Sequence, residues 1–186
     1  MAVKKTSLDG NIFSAFVVRP GIKFETQAAD EELVLLLRKH PVTNVMWILI
    51  FIIMLLAPFI LFPYLSWAGL ITDVPVRFGL VGTIAWYLIT FIFAFENFIS
   101  WYFNVYLLTN ERILDVDFYN LLYKRVSEAR LDKIQDVTYT QSGMAQNVFN
   151  YGFVYIQTAG TEENLEFESV PNPAKVVEAI SKLLHK

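Results

Sequence analysis

The hydrophobic pattern along the chain has two regimes. Between Lys39 and Asp73 there is no Asp, Glu, Lys or Arg, and Val45–Leu65 is almost continuously apolar. A second apolar run, Gly79–Phe95, is closed by Glu96 and Asn97. A helix needs about 20 apolar residues to cross a bilayer core of roughly 30 Å, and both runs fall in that class. They predict a transmembrane helical hairpin over residues 42–101, turning between Ser66 and Phe78. Pro58 and Pro63 lie in the outer half of the first helix, where a nearby donor must satisfy each freed carbonyl. Trp47 and Trp67 suit the two interfaces. Gly79 and Gly82, three apart, permit close helix contact.

The flanks read differently. Residues 28–40 predict a short juxtamembrane helix. Asp30 is its N-cap, Glu31 and Glu32 sit at its positive end, and Arg38 and Lys39 at its negative end. Leu33, Leu36 and Leu37 line one side. Residues 1–27 carry little signal. Ile12, Phe13, Phe16 and Val17 suit one face of a short helix or a strand, and Arg19-Pro20-Gly21 breaks whatever precedes it.

After Trp101 the period shortens to two. The segments 102–109, 112–119, 123–130, 134–141, 152–158 and 164–170 are aromatic, β-branched or alternating, as strands prefer. Gly143, Asn147 and Asn150 mark a loop, and Pro171-Asn172-Pro173 ends the sheet. The last segment, 174–184, is an amphipathic helix with Val176, Val177, Ile180, Leu183 and Leu184 on one face. The fold class is a membrane α-helical hairpin plus an α+β, mainly β domain. The expected domain is an antiparallel sandwich or barrel covered by its C-terminal helix. The boundaries are 1–41, 42–101 and 102–186.

Strands followed by one helix is the order of a pleckstrin-homology (PH)-like domain. Four elements make the likeness more specific: Tyr106–Ile113, Leu131–Val137, Tyr151–Gly160 and Val170–Pro173. With Leu37–Pro41 ahead of the hairpin, they resemble the bacterial PH-like membrane proteins of the YdbS type over roughly residues 30–186. Some relatives repeat this unit, whereas the chain carries one copy. The resemblance implies a fold and a binding role, not a mechanism.

Charge changes the picture in one respect. Lys4, Lys5, Arg19, Lys23, Arg38 and Lys39 precede the first span; Arg112, Lys124, Arg125, Arg130 and Lys133 follow the second; the turn offers Arg77 alone. Basic residues stay inside, so both termini are expected in the cytoplasm of an inner-membrane protein. The apolar run starts too far from the N-terminus for a cleavable signal, and none is expected. The net charge of -3 argues against nucleic acid as a partner. The chain has no cysteine, hence no disulfide framework and no Cys-based metal site.

Candidate chemistry is sparse. Arg38, Lys39, Arg112, Lys124, Arg125, Arg130 and Lys133 are candidate contacts for lipid headgroups or a partner, although residues 102–186 hold more acids than bases. Glu96 is an interfacial carboxylate, or a buried partner for Arg38 or Lys39. His40 reads as an interfacial residue rather than a proton sensor, because no second histidine or carboxylate is placed to help it. Ile134-Gln135-Asp136-Val137, Gly152 and Gly160 read as structural. Asp115 and Asp117 share a strand face without a base partner, His40 and His185 lie far apart, and no phosphate loop or metal motif occurs. No catalysis and no cofactor are expected. The expected role is an adaptor or scaffold binding a protein or a second copy of itself in a homo-oligomer; the alternative is an anionic-lipid-binding module.

The basic-residue asymmetry makes a direct prediction. Thr72→Cys should react with a membrane-impermeant thiol reagent outside intact cells, and Ser181→Cys only after permeabilisation. External labelling at 181 would reverse the assignment.

Overall fold

A computed structural model of the chain describes residues 14–20, 24, 26–28, 30–69, 75–120, 123–159 and 164–185. The expectations placed on Lys4, Lys5, Ile12, Phe13, Gly21, Lys23, Thr72, Asp73 and Gly160 lie outside the described residues. The chain divides into two compact units. One joins the residues up to Thr43 with those from Ser100 onward, and the other is Asn44–Ile99.

The first unit is two antiparallel sheets and a helix. Strands β1 (Phe16–Val18), β2 (Leu33–Arg38), β3 (Val105–Thr109), β4 (Arg112–Asn120) and β5 (Tyr123–Arg130) form one sheet in that order. Strands β6 (Ile134–Thr140), β7 (Tyr151–Thr158) and β8 (Leu165–Pro171) form the other. Alternation decides which side chains face inward. Leu35 and Leu37 of β2, Tyr106 and Leu108 of β3, and Ile113 of β4 meet Val154, Ile156 and Phe167 of the second sheet in one core. The Tyr106 and Phe167 rings stack at 4.4 Å between centroids. A smaller cluster, Leu33, Leu36, Leu107 and Leu114, lies on the other face of the first sheet under Val17 and Phe24.

In place of the helix expected over 28–40, Leu33–Arg38 form a strand. Leu33-Val-Leu-Leu-Leu37 suits either element by composition, but a strand buried on both faces reads as a continuous apolar run. Pairing with β3, from Leu33 opposite Thr109 to Arg38 opposite Val105, supplies the backbone bonds that a short helix would have made internally. Asp30 and Glu31 therefore cap no helix. Tyr102 and Phe103 also leave the expected first strand and end the second long helix. The expected loop at 143–150 contains a helical turn, described below.

The last helix, α4 (Pro173–Leu184), starts with proline at its first turn after Asn172 adopts a left-handed φ of 50°. Val176 and Ile180 are fully buried in the shared core, with Val177, Leu183 and Leu184 against it. Together they are the apolar face expected from the sequence.

The second unit is two long helices, α1 (Val45–Trp67) and α2 (Val76–Phe103), the latter running on into the first unit. Both are long and apolar enough to cross a membrane, and few of their apolar side chains are buried. Proline at 58 leaves the Met54 carbonyl without its helical donor, and the Trp86 indole N–H of α2 donates to it at 2.8 Å. This is the satisfaction that a proline inside an apolar helix requires. A Cβ at Gly79 or Gly82 would meet open space among the described residues.

The core makes a graded prediction. Ile180→Val should cost about 1 kcal/mol. Ile180→Asp buries an unpaired charge at a cost on the order of several kcal/mol, enough to unfold a small unit. Proteolysis of the intact chain in detergent should leave the first variant resistant and cleave the second.

Candidate functional site

The two chain segments that link the sheets to the long helices are stitched together at one end of the first sheet. Arg38, Val105, Val116 and Val126 lie on one register row across β2, β3, β4 and β5. Just beyond it, the Trp101 indole N–H donates to the Lys39 carbonyl at 2.9 Å. The Asn104 side-chain oxygen accepts from the Phe118 N–H, and the Ser100 hydroxyl donates to the Phe118 carbonyl at 3.3 Å. The His40 ring stacks on Tyr151 with centroids 5.2 Å apart, and the His40 backbone N–H donates to the Ser169 carbonyl at 2.8 Å. Its Nδ1 accepts from the Val42 N–H, which requires that nitrogen unprotonated; burial lowers the imidazole pKa in the same sense. His40 thus fixes the chain where it leaves the sheet.

A polar group sits on the inner face of the same end. Asp115 is opposite Tyr106 on β3 and Ser127 on β5. It is 7% exposed, and its Oδ1 accepts no hydrogen bond among the described residues. Burial pushes its carboxyl up to about 7, and the charge on Asp117 pushes the same way, while Lys39 and Arg125 pull it down. Asp117 is raised too, first by burial. Lys39 forms an ion pair with Glu168 of β8. The Tyr106 hydroxyl accepts from the Glu168 N–H at 3.0 Å, and burial raises the phenol pKa. The result is a desolvated carboxyl that can take up a proton near neutral pH, with one cation already committed beside it.

The seven basic candidates divide between two ends. Arg38, Lys39, Lys124 and Arg125 belong to the end just described. The Arg38 guanidinium lies 4.6 Å from the Tyr102 ring centre, and the Lys124 ammonium 5.5 Å from that of Phe118. Arg125 is cross-strand from Asp117. Arg112 and Arg130 pair with each other at the opposite ends of β4 and β5, and exposed Lys133 follows. Arg112 is occupied by Glu31 at 3.0 and 3.2 Å, Glu128 at 2.8 Å and the Thr26 carbonyl at 2.7 Å. Burial alone would raise the Glu31 carboxyl, but Arg112 and the Ala28 N–H outweigh it and hold it below the usual range. Arg130 bonds Asp132 at 3.1 Å. Glu96 is exposed on α2, and Lys39 finds its acid in Glu168 instead.

Sequence reasoning missed Tyr106 and Glu168 as members of this site. It also set Asp115 aside, though the signal was present: Ile113, Asp115 and Asp117 alternate, and Ile113 is a core residue, so Asp115 had to face inward. Glu168 carried no such signal, because its neighbours come from β3 and from the segment after β2.

A family model described as a bacterial PH domain matches residues 69–184, more than half of the chain. The chain belongs to that family. The match starts near the second long helix and runs through α4, so β1 and β2 lie outside it. No curated protein and no solved structure matches the chain.

The Asp115 geometry gives a pH prediction. Its pKa is raised by folding, so the protonated form favours the folded state. That contribution is complete below about pH 4 and is lost as pH rises through about 7. Asp115→Asn should therefore flatten the pH dependence of unfolding. Relative to the wild type, it should gain on the order of a few kcal/mol at pH 8 and little at pH 4. Urea titrations at the two pH values check it; equal effects at both would remove the carboxyl as the cause.

Proposed function

We propose that the chain is a non-enzymatic, membrane-anchored PH-like adaptor of the YdbS type. In this reading residues 42–101 are a two-span hairpin in the inner membrane. Residues 1–41 and 102–186 are cytoplasmic, and their described parts fold together as an antiparallel sandwich closed by α4. The observation that carries it is the joining of Lys39 to Trp101: the sheets are tied at one end to two helices apolar enough to span. PH-family membership supports a binding rather than a catalytic role. Anchoring raises the effective concentration of even a weak binding surface.

The surface offered to a protein is the β5 edge. β5 ends the five-stranded sheet, and Tyr123 and Val126 on it are 57% and 51% exposed. An edge strand presents unpaired backbone groups to another strand, from a partner or a second copy. A second reading, recognition of anionic headgroups, is favoured by the gathering of Arg38, Lys39, Lys124 and Arg125 at the tethered end.

Two measurements separate these readings. A photo-crosslinking residue at Val126 in native membranes should capture a protein, either another chain or a dimer of this one. Native mass analysis from nanodiscs should show no loss of retained anionic lipid in Lys124→Gln/Arg125→Gln. Loss of that lipid together with an uncaptured edge would favour the headgroup reading.

A further inference from the structure

The segment between β6 and β7 exposes a cluster of apolar side chains. It contains a helical turn, α3 (Gly143–Phe149), which leaves Met144 83%, Val148 69% and Phe149 51% exposed. Several of its polar side chains bond within the turn and its flanks, although Asn147 and Asn150 stay exposed. The Gln141 amide donates to the Tyr151 carbonyl and to the Asn150 side chain, each at 3.2 Å. Gln146 accepts from the Ser142 N–H at 2.7 Å, and Asn147 donates to the Gly143 carbonyl at 2.9 Å. Asn150, at a left-handed φ of 51°, holds the Asn172 side chain at 2.8 Å. Gly152 lets this turn lie close, since a Cβ there would collide with the Thr140 carbonyl oxygen. Three clustered, exposed apolar side chains on one short turn mark it as a contact surface.

We propose that α3 is a membrane-docking toe, its Met144, Val148 and Phe149 side chains seated at the boundary between headgroups and acyl chains. The proposal rests on the reading of α1 and α2 as spans. Two observations select lipid as the occupant. The first is position within the sheet unit. Tyr151, two residues past α3, carries the stacked His40 ring, and His40 is the last residue before Pro41 and the first apolar helix. Ser100–Asn104, where the chain returns, is bonded to the same end through Lys39. The exposed apolar turn therefore lies at the end of the unit from which both apolar helices depart. The second is charge. No Asp, Glu, Lys or Arg occurs between Asp136 and Glu162, a longer neutral stretch than that of the second apolar helix between Arg77 and Glu96. A turn without charge and with Met, Val and Phe outward suits the interface of a bilayer, where attachment grows with the apolar area buried. Docking there adds a third attachment to the two covalent ones and fixes which faces of the sheets remain free for a partner.

The absence of native cysteine gives single labelling sites. Nitroxide labels at Val148→Cys, at Ile89→Cys on exposed α2, and at Asp132→Cys at the opposite end of the sheet are placed in the full chain. The chain is held in nanodiscs of phosphatidylcholine and phosphatidylglycerol. Collisions with oxygen, which concentrates in lipid, and with a water-soluble nickel chelate report the surroundings. The expected result is oxygen-dominated relaxation at 148 and 89 and nickel-dominated relaxation at 132, with ratios several-fold apart. Nickel access at 148 equal to that at 132, with 89 in lipid, overturns the docking while leaving the spans intact. Nickel access at 89 overturns the span reading and the docking with it. Shielding of 148 from both reagents shows that protein covers it, a second copy if the spectra broaden, and also overturns the docking.

Discussion

The structure depends on the pairing of β2 with β3. These strands are separated in sequence by the whole apolar hairpin, yet they are adjacent in the sheet from Leu33–Thr109 to Arg38–Val105. The pairing does two things at once. It places Leu35 and Leu37 beside Tyr106 and Leu108 in the core, and it brings the start and finish of the inserted helices to one end of one sheet. Closing so long a connection costs entropy that grows only slowly with its length, so a few buried leucines and their backbone bonds suffice to hold it. The Trp101–Lys39 bond, the His40–Tyr151 stack and the Lys39–Glu168 pair all follow from this closure.

The two ends of the sheet unit use charge in opposite ways. Around Arg112 the charges are paired: Glu31, wholly buried as a side chain, and Glu128 share one guanidinium, which also binds the Thr26 carbonyl. That end is a structural clasp fastening the N-terminal segment to β4. At the tethered end the balance is incomplete. Asp115 is buried with an oxygen that accepts no hydrogen bond among the described residues, Asp117 and Glu168 add charge of the same sign, and Lys39 and Arg125 offset only part of it. Adjacent surfaces carry basic side chains resting on aromatic rings and the outward apolar atoms of α3. An end with unspent charge and exposed hydrocarbon is chemically prepared to meet something else, whereas the Arg112 end is not.

Much of this molecule was legible along the chain. The two apolar runs need only length and the absence of charge to be recognised, and both are properties of consecutive residues. The strands after Trp101 and the amphipathic last helix were legible for the same reason, because period two and period 3.6 are local signals. Membership of the PH family was readable from ordered short elements such as Tyr106–Ile113 and Val170–Pro173, and the family model bears it out. What the sequence left undecided, tertiary pairing decided. Leu33–Leu37 has no period that distinguishes a helix from a strand buried on both sides, and its partner lies some seventy residues away. The seven basic residues could not be sorted from composition, because strand direction alone sends Arg112 and Lys124 to opposite ends of β4–β5. Asp115 became a proton-accepting group through its burial in the assembled fold, with the charges of Asp117 and of Glu168 from the second sheet adding to the shift and Lys39 from the segment after β2 opposing it. Local hydrogen-bonding and burial patterns are written in neighbouring residues; the electrostatics of a site belong to whichever distant strands the fold places beside it.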